Sequence, residues 1–191
     1  MLNQSRYFRL MENVQAGSWY LGDPLTRQGC EMENFREFSS GRAAEVSGRL
    51  TVPIDEPGRR LDFSTAGAGA TPVVHIRVAA IFAEMAPNDV QLIPVDIKGC
   101  PDEYLILVAT RLVRCIDDKA SEDVMYWKPE DGRPEKLGMY RSVYGMRIDP
   151  SKVGDAKVFR TWGWTGVLIV SEDIKTAMER ANVTGAEFEA V

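Results

Sequence analysis

The residues whose types and spacing come nearest to catalysis are Asp96-Ile97-Lys98, at the end of an apolar run. Some metal-dependent nucleases pair one acid with a D/E-x-K motif on adjacent strands. The carboxylates hold Mg²⁺ and the lysine polarises the phosphate. Asp62 or Asp89 would be the first acid here. Such a tripeptide arises readily by chance, and an acidic chain repels a polyanion. His75 is the only histidine. Any Ser–His or Cys–His catalysis would depend on it, and no G-x-S-x-G elbow accompanies it. A structural role near a helix start is the simpler reading. The run Ser64–Thr71 (STAGAGAT) precedes a helical pattern. Glycine-rich loops before helices can cradle phosphate. This one lacks both the GxGxxG spacing and the lysine of GxxxxGK[ST], so it reads as a flexible or tightly packed loop.

Carboxylates also occur in pairs: Asp117/Asp118, Glu122/Asp123 and Glu130/Asp131. Their spacing does not match a calcium-binding EF-hand loop. Residues 117–135 hold seven acids against three bases, and residues 171–191 hold five against two. Runs of charge are ordinarily solvated faces. The alternative is a surface complementary to a basic protein partner. Trp127 lies in the first segment, and Trp162 and Trp164 flank Gly163. Exposed tryptophan is enriched at binding hot spots, although tryptophan also covers core edges. The candidate partner-binding set is Asp117, Asp118, Glu122, Asp123, Trp127, Glu130, Asp131 and Trp164. No catalytic, cofactor-binding or metal-ligating set stands out beside it.

The elements that must position these residues are legible in places. Val158 to Trp162 alternates as a strand, and a turn is expected at Trp164-Thr165 between Gly163 and Gly166. Val167–Val170 contains no polar residue, as in a strand covered on both faces. Ser171 then suits an N-cap, with Glu172 and Asp173 in the first turn. Ile174, Ala177, Met178 and Ala181 form one apolar stripe. Asn182 and Gly185 end the helix, and a last strand keeps Phe188 inward. Earlier, Thr71 and Pro72 read as the cap and first residue of a helix. Val74, Val78, Ile81, Phe82 and Met85 are its stripe, and Pro87-Asn88 its end. Val90–Ile97 and Tyr104 to about Cys115 read as strands joined by a hairpin loop at residues 98–102. Pro94 places the first at an edge or bulge, while the apolar Tyr104–Ala109 is central. After Cys115, the acidic segment and PEDGRPEKLG (residues 129–138) read as an exposed turn region, and Tyr140–Ile148 as a strand. Residues 1–60 are rich in glycine and proline, with short strands at Arg6–Met11 and Ser18–Leu21. Tyr7, Phe8, Trp19, Tyr20, Phe35 and Phe38 argue that this third packs on the body. The expected architecture is α+β, a mostly antiparallel sheet with two or three flanking helices.

The chain of 191 residues is 45% hydrophobic and 27% charged, with a net charge of −5. Residues 1–191 are expected to form one domain. The acidic balance argues against direct nucleic-acid binding, which wants a basic face. No apolar run approaches the roughly 20 residues of a membrane helix, and MLNQSRYFRL lacks the pattern of a secretory signal. Cys30, Cys100 and Cys115 are odd in number, with no C-x-x-C motif, and are expected near apolar strands as small hydrophobes. A reducing cytoplasm fits that usage.

Several stretches together carry a family likeness. They are YFRLMENVQAGSWYLG, APNDVQLIPVDI, RLVRCIDD, YWKPEDGRPEKLGMYRSVYGMRIDPSKVGDAKVFRTWGW and LIVSEDIKTAMERANVTGAEFEAV. The chain resembles the myxobacterial-type immunity proteins of bacterial polymorphic toxin systems, a family long labelled as a domain of unknown function. The likeness runs from Tyr7 to Val191 and is most specific over Gly132–Trp164, while Ser64–Thr71 departs from it. The resemblance implies a cytoplasmic protein encoded beside a toxin, which it binds and blocks. Related toxins are delivered by contact-dependent routes, including type VI secretion, and include nucleases. It implies roles in interbacterial competition and kin discrimination, and no catalytic motif. A metal-dependent nuclease using Asp96 and Lys98, or a regulatory or scaffold module, are the alternatives.

Overall fold

A computed structural model describes residues 6–34 and 36–191. The strands are β1 (Tyr7–Glu12), β2 (Tyr20–Leu21), β3 (Leu50–Val52), β4 (Ile54–Glu56), β5 (Phe63–Ala66), β6 (Thr71–His75), β7 (Val90–Ile97), β8 (Tyr104–Ala109), β9 (Leu112–Val113), β10 (Asp123–Tyr126), β11 (Tyr140–Tyr144), β12 (Val158–Thr161), β13 (Trp164–Ser171) and β14 (Ala186–Ala190). The helices are α1 (Ile76–Met85) and α2 (Glu172–Arg180). One sheet runs β14-β1-β13-β12-β9 and a larger one β3-β7-β8-β6-β5-β2-β4. β10 and β11 form a separate two-stranded ribbon.

Burial explains the layering. Leu107 and Ala109 of β8 and Leu168 and Val170 of β13 share one core with Val78 and Phe82 of α1 and Ile174 and Met178 of α2. Ile106 and Val108 point to the opposite face of β8, into a second core roofed by Trp19 and Phe38. Val167 and Ile169 line a third core with Cys115, Ile148, Val153 and Phe159. Strands buried on both faces need continuous apolar runs, as Tyr104–Ala109 and Val167–Val170 supply. Fully burying each large side chain contributes about 1.5–3 kcal/mol. Asp89 ties the two sheets, accepting from the Lys157 amide at 2.7 Å and from Arg111 Nη1 at 3.3 Å.

The fold is α+β with two α-helices among the described residues, and most strand pairs are antiparallel, but both large sheets are mixed. β12–β9, β2–β5 and β3–β7 are parallel, because the chain crosses between layers instead of forming hairpins throughout. The helix expected from Thr71 begins instead at Ile76. Thr71–His75 is strand, closing a hairpin with β5 over the Ser64–Thr71 run, which is therefore no loop before a helix. The β-branched Val73 and Val74 fit a strand buried on both faces. β8 starts to pair only at Val73, so Pro72 sits before that ladder. His75 is the N-cap of α1: its Nδ1 accepts from the Arg77 amide at 3.3 Å. Ser171 does cap α2, yet its hydroxyl makes no cap hydrogen bond. Pro94 lies beside β3, which pairs only from Val95 onward, so β7 is an edge over its first half alone. The strand from Tyr104 breaks after Ala109, and β9 joins the other sheet. Tyr20 faces solvent while Leu21 is buried, Cys30 is exposed, and Phe35 lies outside the described residues.

Candidate partner-binding surface

The acidic segment folds into the ribbon and the loop that joins its strands. Asp123 pairs with Tyr144, Val124 with Val143, and Met125 with Ser142; the register then shifts so that Tyr126 meets Tyr140. Because strand side chains alternate, Asp123, Met125, Ser142 and Tyr144 share one face and Val124 and Val143 the other. Tyr140 is buried where the ribbon meets the body. Its amide donates to the Gly163 carbonyl at 3.2 Å. A β-carbon at Gly163 would lie 3.2 Å from its ring, and Gly163 has φ +78°.

Several of the expected contact residues are engaged inside the chain. Asp117 Oδ1 accepts from the amides of Lys119 at 3.0 Å and Ala120 at 3.2 Å, closing a turn. Asp118 accepts from the Tyr126 hydroxyl and, at 2.6 Å, from the Tyr140 hydroxyl. The two rings stack with centroids 4.7 Å apart. Burial, then Asp118, pushes both phenols above their ordinary pKa. Asp131 accepts from the Lys128 amide at 2.8 Å and from Arg141 at 2.9 Å. Trp127 has Lys136 at 4.7 Å and Arg141 at 5.5 Å from its ring centroid. Each exposed cation–π contact contributes about 0.5–1 kcal/mol. Trp164 opens β13 and packs half-buried against the third core. The turn is at Trp162-Gly163 instead, since Thr161 pairs with Trp164. The carboxylates of Glu122, Asp123 and Glu130 have no hydrogen bond or ion pair among the described residues, and all three are exposed.

The residues that sequence reasoning missed are apolar. Met125, Tyr126, Leu137, Met139 and Tyr144 are exposed, Tyr144 by 60%. They cluster on the ribbon and its loop. The run Val124-Met125-Tyr126-Trp127 carried a strand signal, but the surrounding acids made the segment read as turn.

Elsewhere, Asp96 bonds Arg49 at 2.8 Å on an exposed strand end. Asp62 is held by Arg77 and Thr184. These carboxylates are engaged with cations and with an amide and a hydroxyl of the chain. No group of three or more metal-ligating side chains converges among the described residues. No helix there is long and apolar enough to cross a membrane.

The ribbon and its loop thus carry exposed apolar side chains beside acids that are unpaired among the described residues. Residues 73–191 match the model of the Immunity protein family (Imm11). That is more than half of the chain, which therefore belongs to this family. No curated protein matches the chain.

Proposed function

We propose that this chain acts in the cytoplasm as an immunity protein, binding a cognate toxin encoded nearby and neutralising it by stoichiometric inhibition. The toxin is a basic nuclease, and the ribbon covers its active site. The whole chain works as one unit, without cofactor or catalysis of its own. Family membership supports the class of function. The observation that carries this reading is that Glu122 just before the ribbon, Asp123 on its first strand and Glu130 in its joining loop are exposed and unpaired among the described residues, in the same segment as Trp127. Complementary charge accelerates encounter with a basic partner and disfavours wrong ones. Asp117, Asp118 and Asp131 hold the surface in shape.

Co-expression with the product of the adjacent gene tests this reading. The neighbour should kill alone, be tolerated with this chain, and co-purify with it at a fixed ratio. Neither rescue nor complex would sink it. Charge reversal of Glu122 and Asp123 should weaken binding and flatten its salt dependence.

A further inference from the structure

Within the immunity reading, on which this inference rests, we propose that the outer face of the ribbon receives a basic side chain of the toxin. The receiving residues are Asp123, Met125 and Tyr144, and arginine fits them best.

The argument begins with register. Asp123 stands directly across from Tyr144, and Met125 directly across from Ser142, on the same face. Directly opposed β-carbons in an antiparallel pair are about 4.5–5.5 Å apart. One incoming side chain can therefore touch both the Asp123 carboxylate and the Tyr144 ring. Tyr144 is 60% exposed and Met125 46% exposed, so neither serves the core of this chain.

The chain's treatment of its other aromatic residues sharpens the point. Trp162 has Arg114 at 4.3 Å from its ring centroid, Trp127 has Lys136 at 4.7 Å, and Phe8 has Lys175 at 5.1 Å. Among the described residues, Tyr144 has no such cation, and Asp123 beside it has no ion pair. An aromatic face and a carboxylate, side by side and both unserved, are complementary to a cation. The ring attracts it through its quadrupole, and the carboxylate through charge-assisted hydrogen bonds. A guanidinium satisfies both at once, because its plane stacks while its edge donates in a fork. Met125 supplies a soft apolar surface for the aliphatic stem. Glu122, next in the chain and also unpaired, adds to the local negative potential.

The experiment is a binding titration of a catalytically inactive variant of the adjacent gene's product with the full chain and its variants. Tyr144→Leu should weaken binding about 10-fold, the loss of one well-placed cation–π contact. Tyr144→Phe keeps the ring and should bind like the unmodified chain. Asp123→Asn should weaken binding about 10-fold or more and reduce its salt dependence. The double variant Asp123→Asn, Tyr144→Leu should lose less than the product of the single losses, because both contact one group. Circular dichroism confirms that each variant is folded. Wild-type affinity in folded Asp123→Asn and Tyr144→Leu overturns this inference and leaves the immunity reading standing. No binding by the unmodified chain overturns both. Self-association that Tyr144→Leu abolishes makes a second copy of the chain the occupant and also overturns it.

Discussion

Tyr140 gives its phenol hydrogen to Asp118 at 2.6 Å, across 22 residues of chain. Tyr126 donates to the same carboxylate from the neighbouring strand. One acid thus fastens both strands of the ribbon near its junction with the body. Tyr140→Phe removes one of these bonds and should cost about 1–2 kcal/mol, since the acceptor is charged and the donor buried. Urea unfolding measures that loss, and hydrogen exchange should show it concentrated in residues 123–144. Both phenols hold their protons more tightly than free tyrosine, whose pKa is 10.0. The folded state therefore binds more protons, and this stabilisation declines as pH rises past the ordinary phenol value. Alkaline titration followed by tyrosinate absorbance should show both rings ionising only above the ordinary phenol range, as should the buried Tyr104.

Acid should act at a different place. Burial alone would raise the Asp62 pKa, but hydrogen bonds from Arg77 and from the Thr184 amide and hydroxyl outweigh it and hold the value at about 2. The unfolded chain reprotonates near the ordinary 3.8. Above that pH the contribution is complete, and it is lost as pH falls towards about 2. Asp62→Asn should lower stability at pH 7 and flatten its decline over that acid window. Denaturation at several pH values, compared with the unmodified chain, checks both.

Thiol reactivity should follow burial. Burial pushes the Cys115 thiol up to about 12, whereas Cys30 is exposed. The thiolate is the reactive form. An alkylating reagent at pH 8 should modify Cys30 rapidly and Cys115 only after unfolding. Mass spectrometry of timed samples reads the order, and early labelling of Cys115 would contradict this packing.

Residues 73–191, the part that matches the family model, should not fold alone. β1 lies between β14 and β13 in the smaller sheet, and β2, β3, β4 and β5 belong to the larger one. Removing residues 1–72 strips an interior strand and uncovers the second core, in which Trp19 and Phe38 are each 2% exposed. A preparation of residues 73–191 should aggregate and show no cooperative thermal transition by circular dichroism. A monomeric, cooperatively melting fragment would refute this.

Local pattern determined much of what the structure contains. The run Val167–Val170, the stripe through Ile174 and Met178 and the left-handed Asn182 follow from periodicity and end chemistry. They reappear as β13, α2 and its terminus. Val90–Ile97 was legible for the same reason. Thr71-Pro72 was misleading, because a proline after threonine opens a helix as readily as it tolerates an early strand position. Long-range pairing with β5 and β8 made it strand.

The candidate surface divides along the same line. Composition determined that residues 117–135 are acidic and carry Trp127. It could not say which acids are free. Only tertiary structure assigned Asp118 to two tyrosines and Asp131 to Arg141, left Glu122, Asp123 and Glu130 unpaired among the described residues, and set Tyr144 across from Asp123. It also buried Arg160 at 2% exposure on a strand whose alternation said nothing of depth. Periodicity reports which face a side chain takes. Which face is covered, and by what, is decided by segments far apart in sequence that meet only in the folded chain.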